Sequence, residues 1–161
     1  MNEAIDNRIF ADVLHAQQLP ALQHRVSATT IVLGAMASRD WRPMHHDKEF
    51  AIARSGVRDI FLNTPSQAAW LERYITDWSG PKGRIGRMRF EMRNSIFPGE
   101  NMVISGEVAA CEATDYGYGW IELVLAIHSG ELLASRCQAR VALPVSTSDN
   151  PWSVPPEHWL P

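Results

Sequence analysis

What is scarce in this 161-residue chain already narrows what it can be. There are only two cysteines, Cys111 and Cys137, and they lack the CxxC spacing of a redox or zinc motif. Both fall in apolar, strand-like stretches, which predicts buried, reduced thiols. Basic charge is not in excess: Lys and Arg number 15 against 18 Asp and Glu, a net charge of −3, so there is no electrostatic footprint for nucleic acid or an anionic membrane. No apolar run approaches the roughly 20 residues that cross a bilayer. The start, Met1-Asn2-Glu3-Ala4-Ile5-Asp6, is acidic and without the apolar core of a signal peptide, so a cytoplasmic location is expected. Internal repeats and low-complexity segments are also missing. At 45% hydrophobic and 20% charged residues, what remains has the composition of a globular domain long enough to bury a core.

The periodicity of the apolar residues divides the chain into three. Ile5, Ile9, Val13 and Leu14 can share one helical face before Pro20 interrupts, which predicts an N-terminal helical extension over residues 1–26. From residue 27 to 144 the pattern reads as one domain. Val26 to Ala37 is rich in β-branched residues and predicts a strand. Asp47 is placed to cap a short helix through Lys48 to Ala53, with Gly56 as its stop. The strongest helical stretch runs from Thr64 to Trp78. Pro65 suits its first turn, Ala68, Leu71, Ile75 and Trp78 share one face, and Glu72, Arg73 and Asp77 face outward. Four strands follow: Arg84 to Ser95, Asn101 to Cys111, Trp120 to Ser129 and Leu132 to Leu143. Turn residues at Pro98-Gly99, Gly117-Tyr118-Gly119 and Ser129-Gly130 separate the last of them. One central helix followed by a meander predicts an α+β fold with an antiparallel sheet curled around the helix. Residues 145–161 form a Pro- and Trp-containing tail, whose Trp152 and Trp159 can dock on the sheet, pack against a partner subunit, or stay free.

The residues richest in chemistry lie together in Asp40-Trp41-Arg42-Pro43-Met44-His45-His46-Asp47. A carboxylate and an imidazole five positions apart on an irregular segment can turn toward one pocket and share acid–base work. The plainer alternative is a helix cap beside a solvated side chain. Zinc binding by His45, His46 and Asp47 is disfavoured, because three consecutive residues do not easily converge on one ion and no further Cys/His cluster completes a site. No metal is therefore expected, and His46 is read as orienting the loop. Asn63, at the start of the central helix, is a natural N-cap. Arg84, Arg87, Arg89 and Arg93 alternate along a strand. They can contact phosphate groups or simply form a solvated face.

The spacing Asp40-x-x-Pro43-x-His45-x-Asp47 resembles the signature of MaoC-like dehydratases and R-specific enoyl-CoA hydratases. Ile96-Phe97-Pro98-Gly99-Glu100-Asn101 with Ser105-Gly106-Glu107-Val108 resembles a strand–turn–strand of the same family, so the likeness spans about residues 27 to 143. It implies a hotdog fold in which Asp40 and His45 grip the water added across a double bond. It also implies that the backbone N–H at the helix start, here Asn63, receives the thioester oxygen, a role compatible with an N-cap. Two departures stand out: Ser38-Arg39-Asp40 replaces Ser-Gly-Asp, and Arg42 stands where Asn is common.

Three segments, Arg39 to Asp47, Arg58 to Asn63 and Arg73 to Pro81, are similar to the small MaoC-like subunits of steroid side-chain enoyl-CoA hydratases. That likeness implies a bulky steroid-derived enoyl-CoA substrate and no cofactor beyond the coenzyme A of the substrate. It further implies a heterodimer or heterotetramer with a second MaoC-like chain, which has an extra C-terminal domain and lacks the Asp/His pair. Trp41 and Trp70 are then expected near a wide apolar groove between subunits. Two rivals remain: an acyl-CoA thioesterase on the same fold, and a non-catalytic assembly subunit.

Overall fold

Leu71, Tyr74, Ile75 and Trp78 make one side of the central helix apolar, and the fold is organised by the sheet that buries them. The computed structural model describes residues 7–161. After a 3-10 turn at Phe10–Asp12 come β1 (Gln18–Arg25), α1 (Ala28–Ala37), a 3-10 turn at Pro43–His45, α2 (Lys48–Ser55) and the central helix α3 (Thr64–Ser79). Four long strands follow: β2 (Arg84–Met92), β3 (Asn101–Ala113), β4 (Tyr118–Ser129) and β5 (Leu132–Pro144). All pairings are antiparallel, and the five-stranded sheet has the order β1-β3-β4-β5-β2. Ile104, Val108, Ile121, Leu123, Leu125, Ile127, Ala139 and Val141 alternate onto the face that meets α3. This is the α+β hotdog arrangement. No helix among the described residues is long and apolar enough to cross a membrane.

Two elements differ from the sequence reading. The stretch expected as a strand, Val26 to Ala37, forms α1. Ser27 and Thr30 make a reciprocal capping box, with Ser27 Oγ accepting from the Thr30 N–H at 3.0 Å and Thr30 Oγ1 from the Ser27 N–H at 3.3 Å. Ile31 and Ala35, four apart, are the residues it buries, so capping and packing outweigh β-propensity. The expected N-terminal helix is also absent from residue 7 onward, where a 3-10 turn leads into β1. Ile5 and the acidic segment 1–6 lie outside the described residues. Pro20 is accommodated because β1 is an edge strand whose pairing with β3 shifts register between Leu19 and Leu22.

Cys137 is buried, and burial pushes its thiol up to about 12, whereas Cys111 lies exposed on β3 instead of in the core. The tail docks on the protein's own sheet. Trp159 packs against Trp120 and Tyr118 at centroid distances of 4.8 and 5.6 Å, and Tyr118 Oη donates to the His158 carbonyl at 2.8 Å. The Arg84 guanidinium lies 3.7 Å over the Trp159 ring and donates to the Pro151 carbonyl.

Candidate active site

Asp40 owes its position to the way α1 ends. The Asp40 N–H bonds the Ala35 carbonyl at 2.8 Å and the Arg39 N–H bonds that of Met36 at 3.1 Å, with Arg39 between them at φ +52°. This is a Schellman close, whose left-handed residue is ordinarily glycine; a side chain there costs on the order of 1 kcal/mol. The chain turns back on itself and delivers Asp40 to the start of α3. Pro43 then opens the 3-10 turn that carries His45, and the Asp47 N–H bonds the Pro43 carbonyl at 2.7 Å. The Asp47 carboxylate accepts from the Phe50 N–H at 2.9 Å and caps α2. Pro43 and Asp47 are thus the scaffold of the motif, while Asp40 and His45 present its functional groups.

His45 is 2% exposed. Its Nδ1 lies 2.8 Å from the Phe61 carbonyl, which can only accept, so Nδ1 carries the proton. The Phe61 ring meets the imidazole edge-on at 4.8 Å. Nε2 is left facing Asp40 Oδ2 at 3.4 Å, beyond an ordinary N–H···O bond, and has no hydrogen-bond partner. In the tautomer with the proton on Nδ1, Nε2 and the carboxylate turn two acceptors toward one point. Such a pair suits a small ligand with two hydrogens to donate, as water has.

Asp40 is more strongly held than the sequence suggested. Arg42 donates from Nε to Oδ1 and from Nη2 to Oδ2, both at 2.7 Å, and Asn63 Nδ2 donates to Oδ2 at 3.0 Å. The Arg42 guanidinium holds the carboxyl well below the usual carboxylate range; burial opposes this, and Asn63 adds to the lowering. Asp40 is a permanent anion at neutral pH.

Asn63 is fully buried and ties the site to α3. Its Oδ1 accepts from the Ser66 N–H at 3.1 Å as an N-cap, and its Nδ2 also donates to Ser38 Oγ at 2.9 Å. Its own backbone N–H has no partner among the described residues. That donor, at the positive end of the helix dipole, can receive a developing negative charge. The three candidates Asp40, His45 and Asn63 lie together in the structure. The sequence gave Arg42 only as a departure from a pattern and Ser38 only as the first residue of a motif, and it gave no sign of the Phe61 carbonyl, which is a backbone group.

Of the other sequence candidates, His46 is exposed, and Trp41 is 65% exposed. Trp70 is half-buried and stacks on His24 at 4.5 Å. Arg87 pairs with Glu122 at 3.8 Å and Arg93 with Glu91 at 3.3 Å, Arg84 of β2 is engaged by the tail, and Arg89 is solvated. No cluster of three His, Cys, Asp or Glu able to hold a metal ion occurs among the described residues.

No protein-family model matches the chain. A curated relative, the 3-oxo-4,17-pregnadiene-20-carboxyl-CoA hydratase beta subunit of Mycobacterium tuberculosis (strain ATCC 25618 / H37Rv), is 36% identical over 92 residues, which is 57% of this chain and 70% of the relative. The crystal structure of the ChsH1–ChsH2 complex from Mycobacterium tuberculosis superposes with a TM-score of 0.74 at 27% identity, covering 81% of this chain and 98% of the other. A MaoC-like dehydratase from Rhodospirillum rubrum has the same fold, with a TM-score of 0.73 at 17% identity over 86% of this chain and 97% of that one.

Proposed function

This chain belongs to the MaoC-like hydratase family, and we propose that it adds water across the α,β double bond of a bulky enoyl-CoA thioester whose acyl group is a steroid side chain. The observation that carries the reading is the approach of His45 Nε2 to Asp40 Oδ2 at 3.4 Å, with Asn63 at the start of α3 bonded to the same carboxylate oxygen at 3.0 Å.

The thioester makes the β-carbon electrophilic, but water is a weak nucleophile and negative charge develops on the thioester oxygen as the C–O bond forms. The Asn63 N–H and the α3 dipole stabilise that charge. Asp40, fixed as an anion, accepts one hydrogen of the water and orients it. His45 Nε2 takes the other proton as oxygen bonds to the β-carbon, then returns the same proton to the α-carbon as the enolate collapses. One water is consumed, the two carbons gain OH and H, and His45 ends neutral. The Arg42 clamp supports this division of labour, because a carboxylate so heavily bonded is a poor proton carrier. No cofactor enters beyond the coenzyme A of the substrate.

The relative's name supports the steroid acyl group, and its designation as a beta subunit, with the two-chain complex, supports a heteromeric assembly. The proposed partner is a second hotdog chain with an extra C-terminal domain and no Asp/His pair. A cytoplasmic location goes with this reading. The test is to follow loss of the enoyl chromophore and release of free coenzyme A side by side, with the chain and whatever protein co-purifies. Hydration without coenzyme A release is expected. Coenzyme A release alone would make the protein a thioesterase, and neither reaction would leave it an assembly subunit.

A further inference from the structure

The sheet-facing side of α3 offers an acyl group no room: Leu71, Tyr74, Ile75 and Trp78 are buried there. On another side α1 crosses α3, so closely at one point that a side chain on Gly34 would overlap Ser66 Oγ. Between the two helices lies a cavity of about 390 Å³, within the usual range of small-molecule sites. Ala37 of α1 and Pro65, Ala69 and Trp70 of α3 give it apolar walls.

The two ends of this cavity differ. At one are Ser38 and Ser66, both hydrogen-bonded to Asn63, which in turn bonds Asp40. Ser38 Oγ also donates to the Gly34 carbonyl at 2.8 Å, whereas the buried Ser66 Oγ has no hydrogen-bond partner among the described residues and leaves this end of the cavity polar. At the other end is Arg73. Its guanidinium leans over the Trp70 ring at 5.2 Å, and only its Nε is engaged among the described residues, by Asp77 at 3.2 Å. Eight residues of helix separate Pro65 from Arg73, roughly 12 Å along the axis. That is the length of a fused ring system, far more than a four-carbon acyl chain needs.

Resting on the hydratase reading, we propose that the α1–α3 cavity is the acyl subsite of this chain and takes a flat, fused-ring acyl group. Its face lies against Trp70, and an acceptor oxygen at its far end meets the free Nη groups of Arg73. Ala37 and Ala69 are the specificity-determining residues: both are exposed helix positions, small where the ring must pass.

Binding of thioesters that cannot be hydrated tests the subsite apart from the chemistry. A saturated steroid side-chain acyl-CoA bearing a ring ketone and butyryl-CoA would be titrated against the protein as purified, with any partner it carries. The ring thioester should bind at least tenfold more tightly. Ala69→Leu and Ala37→Leu, filling the cavity from opposite walls at positions that favour helix, should each cut that ratio severalfold or more. Arg73→Gln should weaken the ketone-bearing ring more than a ring lacking the ketone. A ratio unchanged in both leucine variants, or no preference for the ring in the unmodified protein, overturns the subsite. Tight ring binding lost in the leucine variants, in a protein that hydrates no enoyl-CoA, would keep the subsite and reject the hydratase.

Discussion

Arg42 grips both carboxylate oxygens of Asp40 at 2.7 Å, while Asp40 Oδ2 faces His45 Nε2 at 3.4 Å. The side chains differ sharply in exposure, 60% for Arg42 and 8% for Asp40, so the clamp reaches in from solvent to fix a nearly buried anion. It aims the carboxylate at the imidazole and keeps it ionised.

Arg42→Gln should therefore lower kcat by about tenfold or more through misplacement of Asp40. It should also change acid stability in a definite direction. The carboxyl of Asp40 is held below its ordinary value of 3.8 in the folded protein, so the stabilisation it contributes is present above that pH and lost as pH falls toward the lowered value. Urea unfolding should show a gap between native protein and variant that is widest at neutral pH and narrows below about pH 4. A gap independent of pH would mean the clamp does not act on Asp40.

Asp40→Asn and His45→Ala should each reduce hydration by about 10²–10⁴-fold with the fold retained, the usual range for acid–base groups. The double variant should lose little more than the worse single one, since the proposed mechanism has both residues act on one water. Circular dichroism checks the fold and enoyl-CoA turnover the activity. Near-normal turnover in either folded variant would remove the mechanism.

The contrast between Asp40 and its setting marks how much was legible in advance. Asp40, His45 and Asn63 are carried by side-chain type and local spacing, which a sequence displays directly. The His45–Phe61 bond is made by a backbone carbonyl, which every residue has, so nothing in the sequence distinguishes it. For α3, apolar residues three and four apart sit between Asn63-Thr64-Pro65 and Gly80, and start, face and stop agree. In α1 the β-branched Thr29, Thr30, Ile31 and Val32 pointed to a strand, and the capping box and the burial of Ile31 and Ala35 decided otherwise. The clamp escaped because Arg42 stood out only as a departure from a family pattern, although residues two apart in extended backbone face the same side.

Asn63→Gly separates the two functions of Asn63. The glycine keeps the backbone N–H and, as an N-cap, should cost only a few tenths of a kcal/mol in helix stability. It removes the Nδ2 bonds to Asp40 and Ser38. A several-fold fall in kcat with KM little changed is expected. Loss of thioester affinity with kcat intact would assign the side chain to substrate binding instead.

Trp159 anchors the tail on Trp120, Tyr118 and Arg84. Trp159→Ala should cost about 1–3 kcal/mol, allowing for its incomplete burial. The urea midpoint should fall while the slope of the transition stays the same. An unchanged midpoint would mean that the tail adds nothing to stability.

The last prediction concerns the free edge of β2. Nine residues long and paired among the described residues on one side only, by β5, it presents unpaired backbone groups that isolated proteins normally protect. Its end lies at the site: Met92 Sδ accepts from Gln67 Nε2 at 3.1 Å and from Thr64 Oγ1 at 3.7 Å, both in the first turn of α3. A strand added to β2 would therefore stand beside the helix start proposed to receive the thioester. The chain should purify with a second hotdog chain, and separation should cost activity as well as stability, with both recovered on mixing. Light scattering gives the mass of the assembly and enoyl-CoA turnover its competence. A stable monomer that is fully active and gains nothing from any second chain would show that β2 needs no partner.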